Sequence, residues 1–215
     1  MKTLGQPGGQ AGLGTAQVDA GNADLGESQL AGPRTDLRNQ RLSDELSIDN
    51  HPSIVETPPV RGQRLVQWHD EEDTARLAQA LAAQPPLRNA FIALHGDLGA
   101  GKTTFVRHLL RALGVTGRIK SPTYAVVEPH QGEGDQAIFH FDFYRFSDPR
   151  EWEDAGFRDI FAGAGLKLAE WPANARGQLP VPDLSITIDA MSDDTRQVTL
   201  QAHSDSGLAL LQAAA

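Results

Sequence analysis

At 215 residues and 40% hydrophobic content, the chain is long enough for one ample domain with a real core. Its lack of cysteine excludes disulfides and thiolate metal sites, which fits a reducing compartment. A net charge of −9 argues against a main affinity for nucleic acid, which rests on Lys and Arg neutralising phosphates. No run approaches the roughly 18 apolar residues of a membrane span, and no stretch near Met1 reads as a signal peptide. The expectation is a cytoplasmic protein without membrane contact.

Residues 1–60 lack aromatic side chains, are rich in Gly, Gln, Ala and Asp, and show no sustained period. Such a segment buries too little apolar surface to offset its ordering entropy, and it reads as a disordered N-terminal extension, either a tail or a docking segment. A short helix around Leu37 to Leu46 is the one ordered element it offers, and its several acids do not suit an Arg-rich transit peptide.

Order is expected from about Arg64, with Leu65 to Trp68 as an edge strand. Asp70 or Asp73 caps a helix with Leu77, Ala78, Leu81 and Ala82 on one face, stopped by Pro85 and Pro86. Ala90 to Leu94 is an apolar run suited to a parallel strand buried on both faces.

That strand feeds Gly96-Asp97-Leu98-Gly99-Ala100-Gly101-Lys102-Thr103-Thr104, the spacing of a phosphate-binding loop. Glycines let successive N–H groups close on a phosphate, the lysine adds a point charge, and the threonine hydroxyl can ligate Mg²⁺. From Lys102 a helix with Phe105, Leu109 and Leu113 on one face turns its positive N-terminus toward the phosphates, and Gly114 ends it in a left-handed cap. A polyphosphate nucleotide is the expected guest.

Ser121 to Tyr124 precedes a strand-like Ala125 to Val127, and a turn-rich break at Glu133 and Gly134 joins it to the next strand in a hairpin or similar connection. Ile138 to Tyr144 is a bulky strand with Asp142 near its end. That acid is either a surface residue of an alternating strand or a carboxylate presented to a Mg²⁺ shell. Glu151 to Phe161 reads as one short helix or two broken at Gly156, with Trp152, Phe157 and Phe161 in the core. Leu166 to Ala169 repeats the earlier pattern, an apolar strand running out at Glu170. In an open parallel sheet ligands sit at such strand ends, so two acids placed there support each other. Trp171 has two readings, a hydrophobic plug or an aromatic surface beside the nucleotide. Ser185 to Asp189 and Gln197 to Ala202 are antiparallel neighbours across the turn from Met191 to Thr195, and Leu208 to Leu211 is a terminal helix or tail.

No two histidines stand at ligand spacing, so zinc is not expected; His140 reads as a strand residue facing core or solvent rather than a catalytic one.

Taken together, the loop, Lys120 to Tyr124, His140 to Arg145, and Glu170-Trp171-Pro172 resemble the bacterial TsaE family, small ATPases of tRNA threonylcarbamoyladenosine biosynthesis. The resemblance spans about residues 64–203, a P-loop ATPase domain, leaving 1–60 as extension and 204–215 as terminal helix or tail. It implies an α/β, P-loop NTPase-like three-layer fold with a mixed, partly parallel central sheet. It also implies ATP and Mg²⁺ as ligands, and as partners a transferase subunit and its inactive paralogue, with tRNA contact indirect. Carried onto these positions, Asp97, Leu98, Gly99, Ala100 and Gly101 form the cradle, Lys102 meets the β and γ phosphates, and Thr104 the α phosphate region. Thr103 ligates Mg²⁺, Asp142 and Glu170 hold the metal and its waters, Thr123 senses the γ phosphate, and Trp171 lies near the nucleotide. Lys102, Asp142 and Glu170 are the expected catalytic residues, and Glu170 could orient the attacking water instead of serving the metal. The alternatives are a P-loop small-molecule kinase and a nucleotide-dependent adaptor without turnover. The absence of an Asn-Lys-x-Asp guanine-reading motif favours ATP over GTP.

Overall fold

The computed structural model describes residues 59–214. The expected N-terminal extension, with its short helix around Leu37 to Leu46, lies outside them.

Seven strands form one sheet: β1 (Gly62–Trp68), β2 (Phe91–His95), β3 (Val127–Gln131), β4 (Ala137–Asp142), β5 (Leu166–Glu170), β6 (Leu184–Ala190) and β7 (Arg196–Ala202). Their order across the sheet is β1-β7-β6-β2-β5-β4-β3. The central strands β6, β2, β5 and β4 are mutually parallel, while β7, β1 and β3 pair antiparallel at the two sides. The sheet is therefore mixed and partly parallel, with its parallel part fully enclosed as such sheets require.

Helices cover both faces. Alternation along β2 shows the division: Ile92 and Leu94 join the larger core with α1 (Glu71–Ala82), α2 (Lys102–Ala112) and α5 (Asp205–Ala213). Phe91 and Ala93 join an aromatic cluster with Phe141, Phe143, Phe146, Trp152 and Phe157, supported by α3 (Pro149–Asp154) and α4 (Phe157–Ala162). Phe141 makes an edge contact with Phe157 at 5.4 Å between centroids, and Trp152 lies 5.6 Å from the same ring, again edge to face.

Local chemistry sets the helix ends. Asp70 caps α1 by accepting from the Asp73 amide at 3.0 Å, and Glu71, Glu72 and Asp73 complement the dipole in its first turn. Helix α2 closes in a Schellman arrangement: the Gly114 amide donates to Arg111 O at 3.0 Å and the Val115 amide to Leu110 O at 2.9 Å. Gly114 itself stands at φ +84, where only glycine is unstrained. Gly156 likewise separates α3 from α4 at φ +67.

The strand expected at Ala125 to Val127 begins only at Val127. Val126 takes φ +65, so residues 123–125 before it form a turn, closed by the Val126 amide on Pro122 O at 2.7 Å. A β-branched residue in that region is a steric outlier, held here because Val126 O also accepts from the Asp142 amide at 2.9 Å. No helix among the described residues is long and apolar enough to cross a membrane.

Candidate functional site

The site forms where β2, β4 and β5 end. Strand β2 delivers the chain into residues 96–101, and α2 starts with the Phe105 amide on Gly101 O at 2.9 Å. Gly96 is fixed by packing, since a Cβ there would lie 2.3 Å from Ile188 O. Gly99 and Gly101, at φ +82 and +116, meet nothing of their own chain within 4 Å of an added Cβ. Their conformation turns the backbone around an open cradle that side chains would fill. Asp97 and Leu98 are exposed on its rim, Leu98 at 77%, while Ala100 is buried.

Lys102 reaches back into this loop. Its Nζ donates to Gly96 O at 2.6 Å and Asp97 O at 2.8 Å, and stands 4.0 Å from the centroid of the Trp171 ring. Burial holds its pKa below the ordinary lysine value, opposed by the charges of Glu170, Asp142 and Asp97. A lysine whose ammonium is disfavoured by burial gains from the arrival of an anion.

Asp142 and Glu170 are register partners at the ends of β4 and β5, both nearly fully buried. By strand alternation they share the α2 side of the sheet with Ile138 and Leu168. Thr103 Oγ1 on α2 lies 2.9 Å from each carboxylate oxygen of Glu170. Asp142 Oδ2 accepts from Ser121 Oγ at 2.7 Å and Thr123 Oγ1 at 2.5 Å, and its Oδ1 accepts from the Tyr144 amide at 3.0 Å. Thus Lys102, Thr103, Thr123, Asp142, Glu170 and Trp171, drawn from separate stretches of chain, meet in one place. Two non-glycine residues with positive φ flank the two acids: Val126 bonds to the Asp142 amide, and Trp171 (φ +56) follows Glu170. Such conformations cost about 1–3 kcal/mol each and concentrate at functional sites.

Trp171 packs as the hydrophobic plug of one reading, with Tyr144 5.0 Å away, and also turns its ring toward the loop lysine. Thr104 is placed apart from the acids. With Gly99, Ala100 and Gly101 it lines a cavity of about 230 Å³ whose other wall is Trp68, His69, Asp70, Glu71, Thr74, Asp194 and Arg196.

Sequence reasoning did not assign that far wall to the site. Trp68 and Arg196 are register partners across β1 and β7, far apart in sequence, and Arg196 Nε donates to Ala100 O at 3.2 Å. It read His140 as a strand residue facing core or solvent, without a link to Glu170. That side chain faces the core, as one reading allowed, yet its Nε2 lies 2.9 Å from Glu170 Oε1. The alternation of β4 does put His140 and Asp142 on one face, which is the signal the sequence carries.

The donors that converge are hard oxygens, the Thr103 hydroxyl and the Asp142 and Glu170 carboxylates. No group of three His, Asp or Glu able to hold a metal occurs among the described residues. One or two carboxylates completed by phosphate oxygens and water is how Mg²⁺ is ordinarily held, so the residues fit a Mg-nucleotide better than a free metal ion.

A strand, glycine loop and helix at the carboxyl edge of a partly parallel sheet, with acids on neighbouring strand ends, define an α/β protein of the P-loop type. The family model described as threonylcarbamoyl adenosine biosynthesis protein TsaE matches residues 68–198. The chain belongs to the TsaE family. It is 43% identical over 120 residues to the tRNA threonylcarbamoyladenosine biosynthesis protein TsaE of Haemophilus influenzae, covering 56% of this chain and 75% of that one. To the Bacillus subtilis protein of the same description it is 37% identical over 139 residues, covering 64% and 85%. The crystal structure of Bacillus subtilis YdiB superposes with a TM-score of 0.57 at 28% identity, over 71% of this chain and 94% of that one.

Proposed function

We propose that this chain is the ATPase component of tRNA threonylcarbamoyladenosine biosynthesis, binding Mg-ATP at residues 97–104 and hydrolysing it in the cytoplasm. Its cycle drives or resets a partner complex, a transferase subunit and its inactive paralogue, that modifies the adenosine next to the anticodon. The observation that carries this reading is the meeting of Thr103 with Glu170 at 2.9 Å beside Lys102 and Asp142. It supplies, in one desolvated place, the charge and oxygen donors that phosphoryl transfer needs.

In this reading Lys102 leaves the carbonyls of Gly96 and Asp97 for the β and γ phosphates. Amides of the loop and of the first turn of α2 receive the remaining phosphate oxygens. Base and ribose occupy the cavity walled by Trp68, Glu71, Thr74 and Arg196. Thr103, Asp142 and Glu170 would hold Mg²⁺, which when bound neutralises charge on the phosphates. Thr123 trades Asp142 for the γ phosphate, and Glu170 positions the surrounding water. A water oxygen bonds to the γ phosphorus as the bond to the bridging oxygen breaks, giving ADP and phosphate. Because Ser121 and Thr123 are engaged with Asp142, the isolated chain is slow, and partners that shift this segment from Asp142 toward the γ phosphate accelerate it.

The test measures phosphate release from ATP by the chain alone and with the two partners. Stimulation by the partners, abolished in Lys102→Ala, is expected, together with loss of threonylcarbamoyladenosine from bulk tRNA when the protein is depleted. Equal turnover alone and in the complex counts against stimulation, and undiminished modification without a redundant copy removes the assignment. A labelled metabolite formed from ATP would instead favour a small-molecule kinase.

A further inference from the structure

His140 has no part in the proposed hydrolysis, yet it is fully buried against one of the acids that do. Its Nε2 lies 2.9 Å from Glu170 Oε1, reached diagonally across the sheet, since the register partner of His140 on β5 is Leu168. The other ring nitrogen, Nδ1, is buried with no hydrogen-bond partner among the described residues. The ring proton therefore belongs on Nε2, where a carboxylate accepts it, rather than on Nδ1, where it would be an orphaned donor.

Glu170 needs such a partner. Its side chain ends in two equivalent oxygens, and the single hydroxyl hydrogen of Thr103 faces both at 2.9 Å. Thr103, with one hydrogen to give, leaves the plane of the carboxylate loosely held. His140 adds a second contact, at Oε1, that fixes that plane and leaves the other oxygen free. We propose that His140 is a positioning residue that locks the rotation of the Glu170 carboxylate and presents Oε2 to the Mg²⁺ side of the nucleotide site. This rests on the reading of Glu170 as a carboxylate serving the metal.

A purely packing role for His140 predicts something different. A buried histidine that only fills space would, when changed, loosen the fold and weaken all nucleotide binding alike. A positioning residue alters the metal dependence and spares metal-free binding.

The experiment uses the full chain and calorimetric ADP binding, in EDTA and over a Mg²⁺ series, for His140→Gln, His140→Asn and Glu170→Gln. Glutamine carries an amide N–H to about the Nε2 position; asparagine is one methylene shorter and withdraws it. Both are polar, so neither leaves an apolar mismatch. His140→Asn is expected to raise the Mg²⁺ needed for half-maximal enhancement of ADP binding by about tenfold, the size of a lost bond to a charged acceptor. His140→Gln stays within about threefold, and both match the parent within about twofold in EDTA, with similar unfolding midpoints. Equal behaviour of the two variants, or loss of ADP affinity in EDTA as large as in Mg²⁺, overturns the proposal. If Glu170→Gln leaves the Mg²⁺ dependence unchanged, the metal-side reading of Glu170 falls and the proposal with it. A shift in Glu170→Gln without one in His140→Asn removes His140 alone.

Discussion

The ammonium of Lys102 stands 4.0 Å from the centre of the Trp171 ring while bonding the carbonyls of Gly96 and Asp97. The indole is thus in electrostatic contact with the charge that an incoming phosphate would take. Nucleotide binding is expected to change Trp171 fluorescence, and Lys102→Ala to remove both the change and most of the affinity. The lysine–indole contact itself contributes about 0.5–2 kcal/mol in the free protein. A fluorescence titration of the parent against Trp171→Phe separates this signal from those of Trp68 and Trp152.

The depressed pKa of Lys102 gives a pH dependence with a definite sign. Burial disfavours the ammonium in the free protein, and phosphate anions favour it in the complex. The complex therefore binds more protons than its separated parts at alkaline pH. Affinity should fall as pH rises through the lowered lysine value, and binding there should take up a proton. Calorimetry at one alkaline pH in buffers of different ionisation enthalpy measures that uptake directly; no uptake at any alkaline pH would be inconsistent with it.

Thr123 gives its hydroxyl to Asp142 at 2.5 Å in a segment that ends in the strained Val126. If Thr123 exchanges this partner for the γ phosphate, Thr123→Val should slow ATP hydrolysis by about tenfold or more, toward the range for loss of one transition-state donor. ADP affinity, which involves no γ phosphate, should stay within about twofold, less than the weight of one neutral hydrogen bond. Single-turnover rates and ADP calorimetry on the same variant check both halves.

Stability depends on a different acid. Asp183 Oδ2 accepts from the Phe91 amide at 2.8 Å at the start of β2, and its Oδ1 accepts from Ser204, which caps α5. Asp183→Ala leaves a backbone donor and a capping hydroxyl without this partner. Urea unfolding should show a loss of about 1–3 kcal/mol, with nucleotide affinity of the folded protein unchanged.

Much of the fold is legible in the sequence, and the exceptions share a cause. The loop, α2 and the apolar strands β2 and β5 declare themselves because each is a local pattern, glycine spacing or side-chain period. Asp142 and Glu170 are visible as acids where strands run out, but only the family resemblance separates them from surface residues. The contact of His140 with Glu170 is not visible. Strand alternation puts His140 on the right face, but the register of β4 on β5 brings together residues about 30 positions apart, and no local pattern encodes it. The same holds for the cavity wall of Trp68 and Arg196, whose pairing spans most of the domain. Val126 departs for a different reason: β-branched neighbours favour a strand, and the hydrogen bonds to Pro122 and Asp142 override that preference.

The pairing of Asp142 with Glu170 turns the sheet into a ruler for the site. Two adjacent parallel strands stand about 4.8 Å apart, so the spacing of these acids is set by backbone hydrogen bonds and not by loop conformation. Loops nearby can lengthen, shorten or open without disturbing that interval. A single-residue deletion inside β4 or β5, by contrast, would swing one acid to the aromatic face and leave the other behind.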